Sequence, residues 1–160
     1  PGKVQVERAT VIEASPGDVF QLVNSFESFN QWSPWYEKDP NGDYKIEGPE
    51  YGVGARMTWA SKMPDVGSGT QEIIESVPDR LVRTKLDFGE MGDANAFFQI
   101  EPRGDDLTHL VWGFDTDLGL NPVSRYVGLM FESWIGPDYE HGLTKLKTLA
   151  ENMPEPQPTE

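Results

Sequence analysis

The chemistry open to this chain is narrowed first by what its side chains lack. It has two histidines and no cysteine. His109 falls in a strand-like run on the face opposite Trp112 and is expected to look toward solvent, and His141 follows Tyr139 by two residues on a helical segment. A Ser–His–Asp triad needs a buried, oriented imidazole, and neither position offers one. Without cysteine, thiolate catalysis, disulfides and zinc–thiolate sites are excluded. Asp39-Pro40-Asn41-Gly42-Asp43 gathers oxygen donors, but its glycine comes too early for a calcium loop, and the segment reads as a turn. Gly52-Val53-Gly54 and Gly67-Ser68-Gly69 lack the signature and the helix of a phosphate-binding loop and also read as turns. No metal and no cofactor is expected.

Carboxylates are the next candidates. Asp115 and Asp117 share a strand face opposite Trp112 and Phe114, where a solvated strand end is the usual reading. Glu72 or Glu75 would turn inward depending on strand register, and Arg56, beside Met57 and Trp59, is placed to pair with one of them. An inward carboxylate with a raised pKa would serve as a general acid or base.

The strongest signal is aromatic. Trp32, Trp35, Met57, Trp59, Phe88 and Phe98 precede a second group, Trp112, Phe114, Tyr126, Met130 and Trp134. Any one of these would ordinarily fill a core. As a set, on a sheet that curls round a helix, they leave a gap that bulky side chains fill only in part. An apolar pocket with a few polar groups is the usual form of a small-molecule site. Met130 adapts to varied shapes, and the tryptophan N–H groups supply donors.

Composition bounds the partners. The 160 residues carry 27 acidic and 13 basic side chains, a net charge of −14, with 37% hydrophobic residues. That balance is typical of one soluble globular domain, and so acidic a surface repels nucleic acid and anionic lipid heads. No run of about 18 apolar residues appears that would span a membrane. The chain opens on Pro1-Gly2 rather than Met, so residues upstream are expected to have been trimmed, which leaves room for a signal or anchor ahead of it. The compartment stays open.

The elements that must position these residues follow from periodicity. Residues 4–13 alternate and read as a strand; Ser15-Pro16 then starts a helix carrying Val19, Phe20, Leu22 and Val23. A second short helix over about 26–31 leads into Trp32-Ser33-Pro34-Trp35. Six strands, near 44–47, 55–61, 68–77, 81–88, 94–101 and 108–117, follow with short breaks, which makes an antiparallel meander. Leu110, Trp112 and Phe114 share one apolar face with Ala96, Phe98 and Ile100, and with Val82, Thr84, Leu86 and Phe88. A long helix from Asn121-Pro122 to about Asn152 covers that face and is expected to break at Gly136-Pro137. Its second half, with Tyr139, Leu143, Leu146 and Ala150, reads as plain amphipathic cover; its first half, residues 123–135, is apolar nearly all round. The fold class is therefore α+β, with one domain over residues 1–153 and a disordered Pro-rich tail over 154–160.

This order resembles the helix-grip fold of the START-like (SRPBCC) superfamily, and within it the polyketide cyclase/dehydrase-like group. The residues that carry the likeness are Val11-Ile12-Glu13-Ala14-Ser15-Pro16 with Val19-Phe20, then Asn30-Gln31-Trp32-Ser33-Pro34-Trp35 and Gly52-Val53-Gly54-Ala55. Glu75-Ser76-Val77-Pro78 and Gly142-Leu143-Thr144-Lys145-Leu146-Lys147 complete it. It spans about residues 4–152 and implies a curved seven-stranded sheet around the C-terminal helix, often with a hydrophobic helix ahead of the first strand. Three functions are compatible with it. The first is binding of a small hydrophobic molecule, a lipid or an aromatic, polyketide-like metabolite, by a monomer or weak homodimer. The second is a cyclase or dehydratase using a pocket carboxylate. The third is an interaction module using the helix over 123–135.

Overall fold

Serine begins each of the short helices. The hydroxyls of Ser15, Ser25 and Ser33 accept from the amides of Asp18, Ser28 and Tyr36 at 3.2, 3.3 and 3.3 Å. Each satisfies a donor that the first helical turn leaves unpaired. They start α1 (Pro16–Val23), α2 (Phe26–Phe29) and α3 (Pro34–Lys38). Two short helices were expected and three are found, because Ser33-Pro34 repeats the start signal of Ser15-Pro16.

The structure is a computed structural model that describes residues 3–63, 66–89, 92–117 and 122–153; for 3, 4, 117 and 122–135 it describes the backbone alone. The expected tail over 154–160 lies outside the described residues, as do the side chains of the proposed 123–135 interface. No described helix is long and apolar enough to cross a membrane.

The strands are β1 (Lys3–Ile12), β2 (Asp43–Glu47), β3 (Arg56–Ala60), β4 (Ser68–Val77), β5 (Leu81–Asp87), β6 (Asp93–Gly104) and β7 (Leu107–Asp117). They form one antiparallel sheet in the order β1-β7-β6-β5-β4-β3-β2. Alternation places Leu110, Trp112 and Phe114 on the buried face, as expected, along with Val82, Thr84, Ala96 and Phe98. Register settles the carboxylates. β4 slips between Ile73 and Glu75, Ile73 is buried, and Glu72 and Glu75 are both exposed. Glu75 pairs with Arg83 at 3.1 Å, and Arg56 is exposed as well.

The covering helix, α4 (Pro122–Glu151), runs through Pro137 without ending. The break expected at Gly136-Pro137 is therefore absent: losing one ladder hydrogen bond does not outweigh the packing of the turns beyond it. Those turns are fastened to β1. Lys147 Nζ donates to the Val11 carbonyl at 2.8 Å, and Glu151 accepts from the Glu13 amide at 2.8 Å. Gly142 sets the approach, since a Cβ there would stand 3.0 Å from both Pro34 Cδ and Trp112 Cζ3. Gly142→Leu is expected to lower the thermal unfolding midpoint by several degrees, from about 1–3 kcal/mol of overpacking, although leucine is the better helix former. An unchanged midpoint in a calorimetric scan would show that this close approach is not needed.

Candidate functional site

Trp112 is the centre of the aromatic cluster. Tyr139 of α4 stacks on it at 3.6 Å and 5° between planes, and Phe98 lies near-parallel to it at 5.3 Å. Trp32 and Trp35 meet it edge-on at 5.1 and 5.8 Å. This pillar joins the sheet to α4.

Beside the pillar the inner face of the sheet drops. Thr84 pairs with Ala96 and Ala96 with Phe114, so the middle of that row carries small side chains. Above them lies a cavity of about 740 Å³. Met57, Trp59, Gln71 and Leu86 form its far wall, and Phe26 and Phe29 of α2 with its C-cap Asn30 form its roof. Trp35, Tyr36 and Lys38 of α3 close a side, with Pro137, Asp138 and Tyr139 of α4. Gly69 makes room for the wall, because a Cβ there would lie 2.7 Å from the Trp59 ring. A second hollow, between α1, Tyr51 and Asp79, lies on the surface and gathers none of the aromatic set.

Seven of the sequence candidates line the cavity: Trp35, Met57, Trp59, Phe88, Phe98, Trp112 and Phe114. Trp32 does not. It is wholly buried, its Nε1 donates to the Leu22 carbonyl at 2.9 Å, and it belongs to the core. Tyr126, Met130 and Trp134 fall among the side chains outside the described residues. The lining also contains residues that aromatic content did not single out, namely Asn30, Gln71, Thr84 and Tyr139. Tyr139 had been assigned to plain cover. Its 139/143/146/150 spacing marks a buried stripe but not which member of the stripe meets a void.

Polar groups in the lining are mostly neutral. Asn30 Nδ2 reaches only the Met57 thioether, at 3.4 Å, and Asn30 Oδ1 is buried without a hydrogen bond. The Thr84 hydroxyl, Gln71 amide and Tyr139 hydroxyl make no hydrogen bond among the described residues. The charged members form a pair, Lys38 Nζ lying 3.0 Å from Asp138 at the cavity edge. Outside the cavity, Glu37 of α3 takes His141 Nε2 at 2.9 Å and Lys145 Nζ at 3.4 Å. The hydrogen bond from His141 holds the Glu37 carboxyl below its ordinary range. His141 is thus an exposed tie between α3 and α4, and His109 lies half-buried on the outer face of the sheet. Among the described residues, no group of three or more His, Asp or Glu is placed to hold a metal ion.

Burial pushes the Tyr139 phenol well above its ordinary value. The folded protein keeps this proton when the unfolded chain has released it. Stability from Tyr139 is therefore complete below about pH 10 and declines as pH rises beyond that. In a spectrophotometric titration one tyrosine is expected to ionise only as the fold opens, and Tyr139→Phe to abolish that late phase. A late phase that persists in Tyr139→Phe would assign it to another tyrosine.

Among curated proteins none matches the sequence. A protein of unknown function from Staphylococcus aureus superposes with a TM-score of 0.71 at 11% identity, over 93% of this chain and 94% of that one. A solution structure from Thermobifida fusca does so at 0.67 and 18% identity, over 89% and 90%. The di-domain ARO/CYC protein StfQ of the steffimycin biosynthetic pathway matches at 0.67 and 12% identity, over 93% of this chain and 51% of that one. Identities this low show a common fold alone. The family described as polyketide cyclase/dehydrase and lipid transport matches residues 3–151, nearly the span over which the motifs carried the resemblance, and the chain belongs to that family.

Proposed function

We propose that this domain binds a small hydrophobic molecule, a lipid or an aromatic, polyketide-like metabolite, between the sheet and α4. The observation that carries this reading is the cavity of about 740 Å³ over the small residues Thr84 and Ala96. Its size is within the usual range of ligand pockets. Membership of a polyketide cyclase/dehydrase and lipid transport family supports the same reading, and the chain would act as a monomer or weak homodimer.

The acid–base alternative has lost the carboxylates first considered for it, since Glu72 and Glu75 face outward. The carboxylate that does line the cavity, Asp138, is engaged by Lys38. A binding reading needs neither.

The test combines ligand capture with a blocked cavity. After incubation with a mixed lipid extract, native mass spectrometry is expected to show a retained small molecule on the wild-type chain. Ala96→Trp, which places an indole on the cavity floor, is expected to weaken retention roughly tenfold or more while the near-ultraviolet dichroism of the fold persists. No retained mass on the wild type, or equal retention by a folded Ala96→Trp, would overturn the assignment.

A further inference from the structure

Among the described residues, buried polar groups outside the cavity are satisfied. Asn24 Oδ1 accepts from Ser76 Oγ at 2.8 Å, the Ser25 hydroxyl caps α2, and the Thr108 hydroxyl donates to the Ala14 carbonyl at 2.8 Å. The Asn30 carbonyl oxygen, in the cavity lining, is the exception among the described residues. Asn30 has a thioether as its sole partner and leaves its carbonyl oxygen buried and unpaired; Gln71, Thr84 and Tyr139 line the same cavity with polar groups that are not buried in this sense. A buried polar group without a partner is costly, and its persistence calls for a partner that comes and goes.

These groups are also clustered. Gln71 is the cross-strand partner of Met57, whose sulfur holds the Asn30 amide. Thr84 pairs with Ile73 and Gln71 with Leu86, which makes Thr84 and Gln71 diagonal neighbours on the inner face. Asn30 in the roof, Gln71 in the far wall and Thr84 in the floor therefore form one polar arc across the cavity lining. The contact of Nδ2 with sulfur orients the amide so that Oδ1 remains an acceptor in want of a donor.

We propose that Asn30, backed by Gln71 and Thr84, is the specificity-determining group of this cavity and selects an uncharged ligand bearing a hydroxyl or similar donor on an apolar frame. A carboxylate-headed acyl chain is disfavoured, because among the described residues the cation at the cavity edge is Lys38, which already faces Asp138. The inference rests on the binding function proposed above, and its test separates the two.

Pyrene, pyrenemethanol and pyrenebutyrate share one ring system and differ in the absence of a polar group, a hydroxyl and a carboxylate. Their dissociation constants are measured by quenching of tryptophan fluorescence. The wild type is expected to bind pyrenemethanol roughly tenfold more tightly than either of the others, as one satisfied buried acceptor predicts. Asn30→Leu, close in volume, is expected to erase that preference while still binding pyrene. It is also expected to unfold no more readily than the wild type, since it removes an unpaired buried oxygen. Thr84→Val, which keeps the shape and deletes the hydroxyl, is expected to reduce the preference without disturbing the amide. Equal binding of all three probes, tightest binding of pyrenebutyrate, or a preference that survives in Asn30→Leu would overturn the specificity role and leave the cavity function standing. If no probe binds, the binding function fails and takes this inference with it.

Discussion

A stack of three rings governs the architecture. Trp112 stacks with Phe98 of the neighbouring strand and with Tyr139 of α4, so aromatic faces tie the helix to the middle of the sheet while its later turns lie against β1. Rings do not compress, and the gap they set cannot close where the sheet beneath carries only Thr84 and Ala96. Gly142 lets α4 approach Pro34 and Trp112 at one level while Tyr139 props it at another. The cavity is the space left by a rigid frame over a low floor. Edge-on contacts from Phe29, Trp32 and Trp35 brace the same ring and bring α2 and α3 into the frame.

This arrangement explains which parts of the site were legible in the sequence. Period-two alternation exposes a strand's faces, so the inward set of β5, β6 and β7 could be read directly. The same logic failed in β4, where a bulge near Ile74 changes register midway, and alternation cannot announce an extra residue. Trp32 and Trp35 differ for a related reason. They flank Ser33-Pro34, and the helix that starts there turns one indole into the core and the other toward the cavity. Reading Ser33-Pro34 as a helix start, by analogy with Ser15-Pro16, would have separated them.

The less legible half of the site is made by what is small or ordinary. Large side chains announce themselves, whereas a void is specified by Ala96, Thr84 and Gly69, residues with many other reasons to occur. Asn30 was visible in the family-like motif around Trp32 but gave no sign of its unpaired oxygen, which exists only because the chain folds it against a methionine sulfur. Pro137 shows the converse. A strong local signal for a break is overridden because the turns on its far side are fixed to β1 through Lys147 and Glu151.

Surface charge and cavity chemistry point the same way. A net charge of −14 repels an approaching anion over roughly a Debye length, about 8 Å at physiological ionic strength. Inside, the described lining is mostly neutral, and Lys38 and Asp138 face each other at the edge. An anionic amphiphile would meet repulsion outside and, among the described residues, no uncompensated cation within. A neutral molecule meets neither obstacle, and it finds in Asn30 a hydrogen-bonding oxygen whose desolvation has already occurred during folding. That cost is borne by the empty domain, so a ligand able to satisfy Asn30 gains affinity without desolvating the protein further. On these physical grounds the instability stored in the polar arc and the selectivity of the cavity are two aspects of one feature.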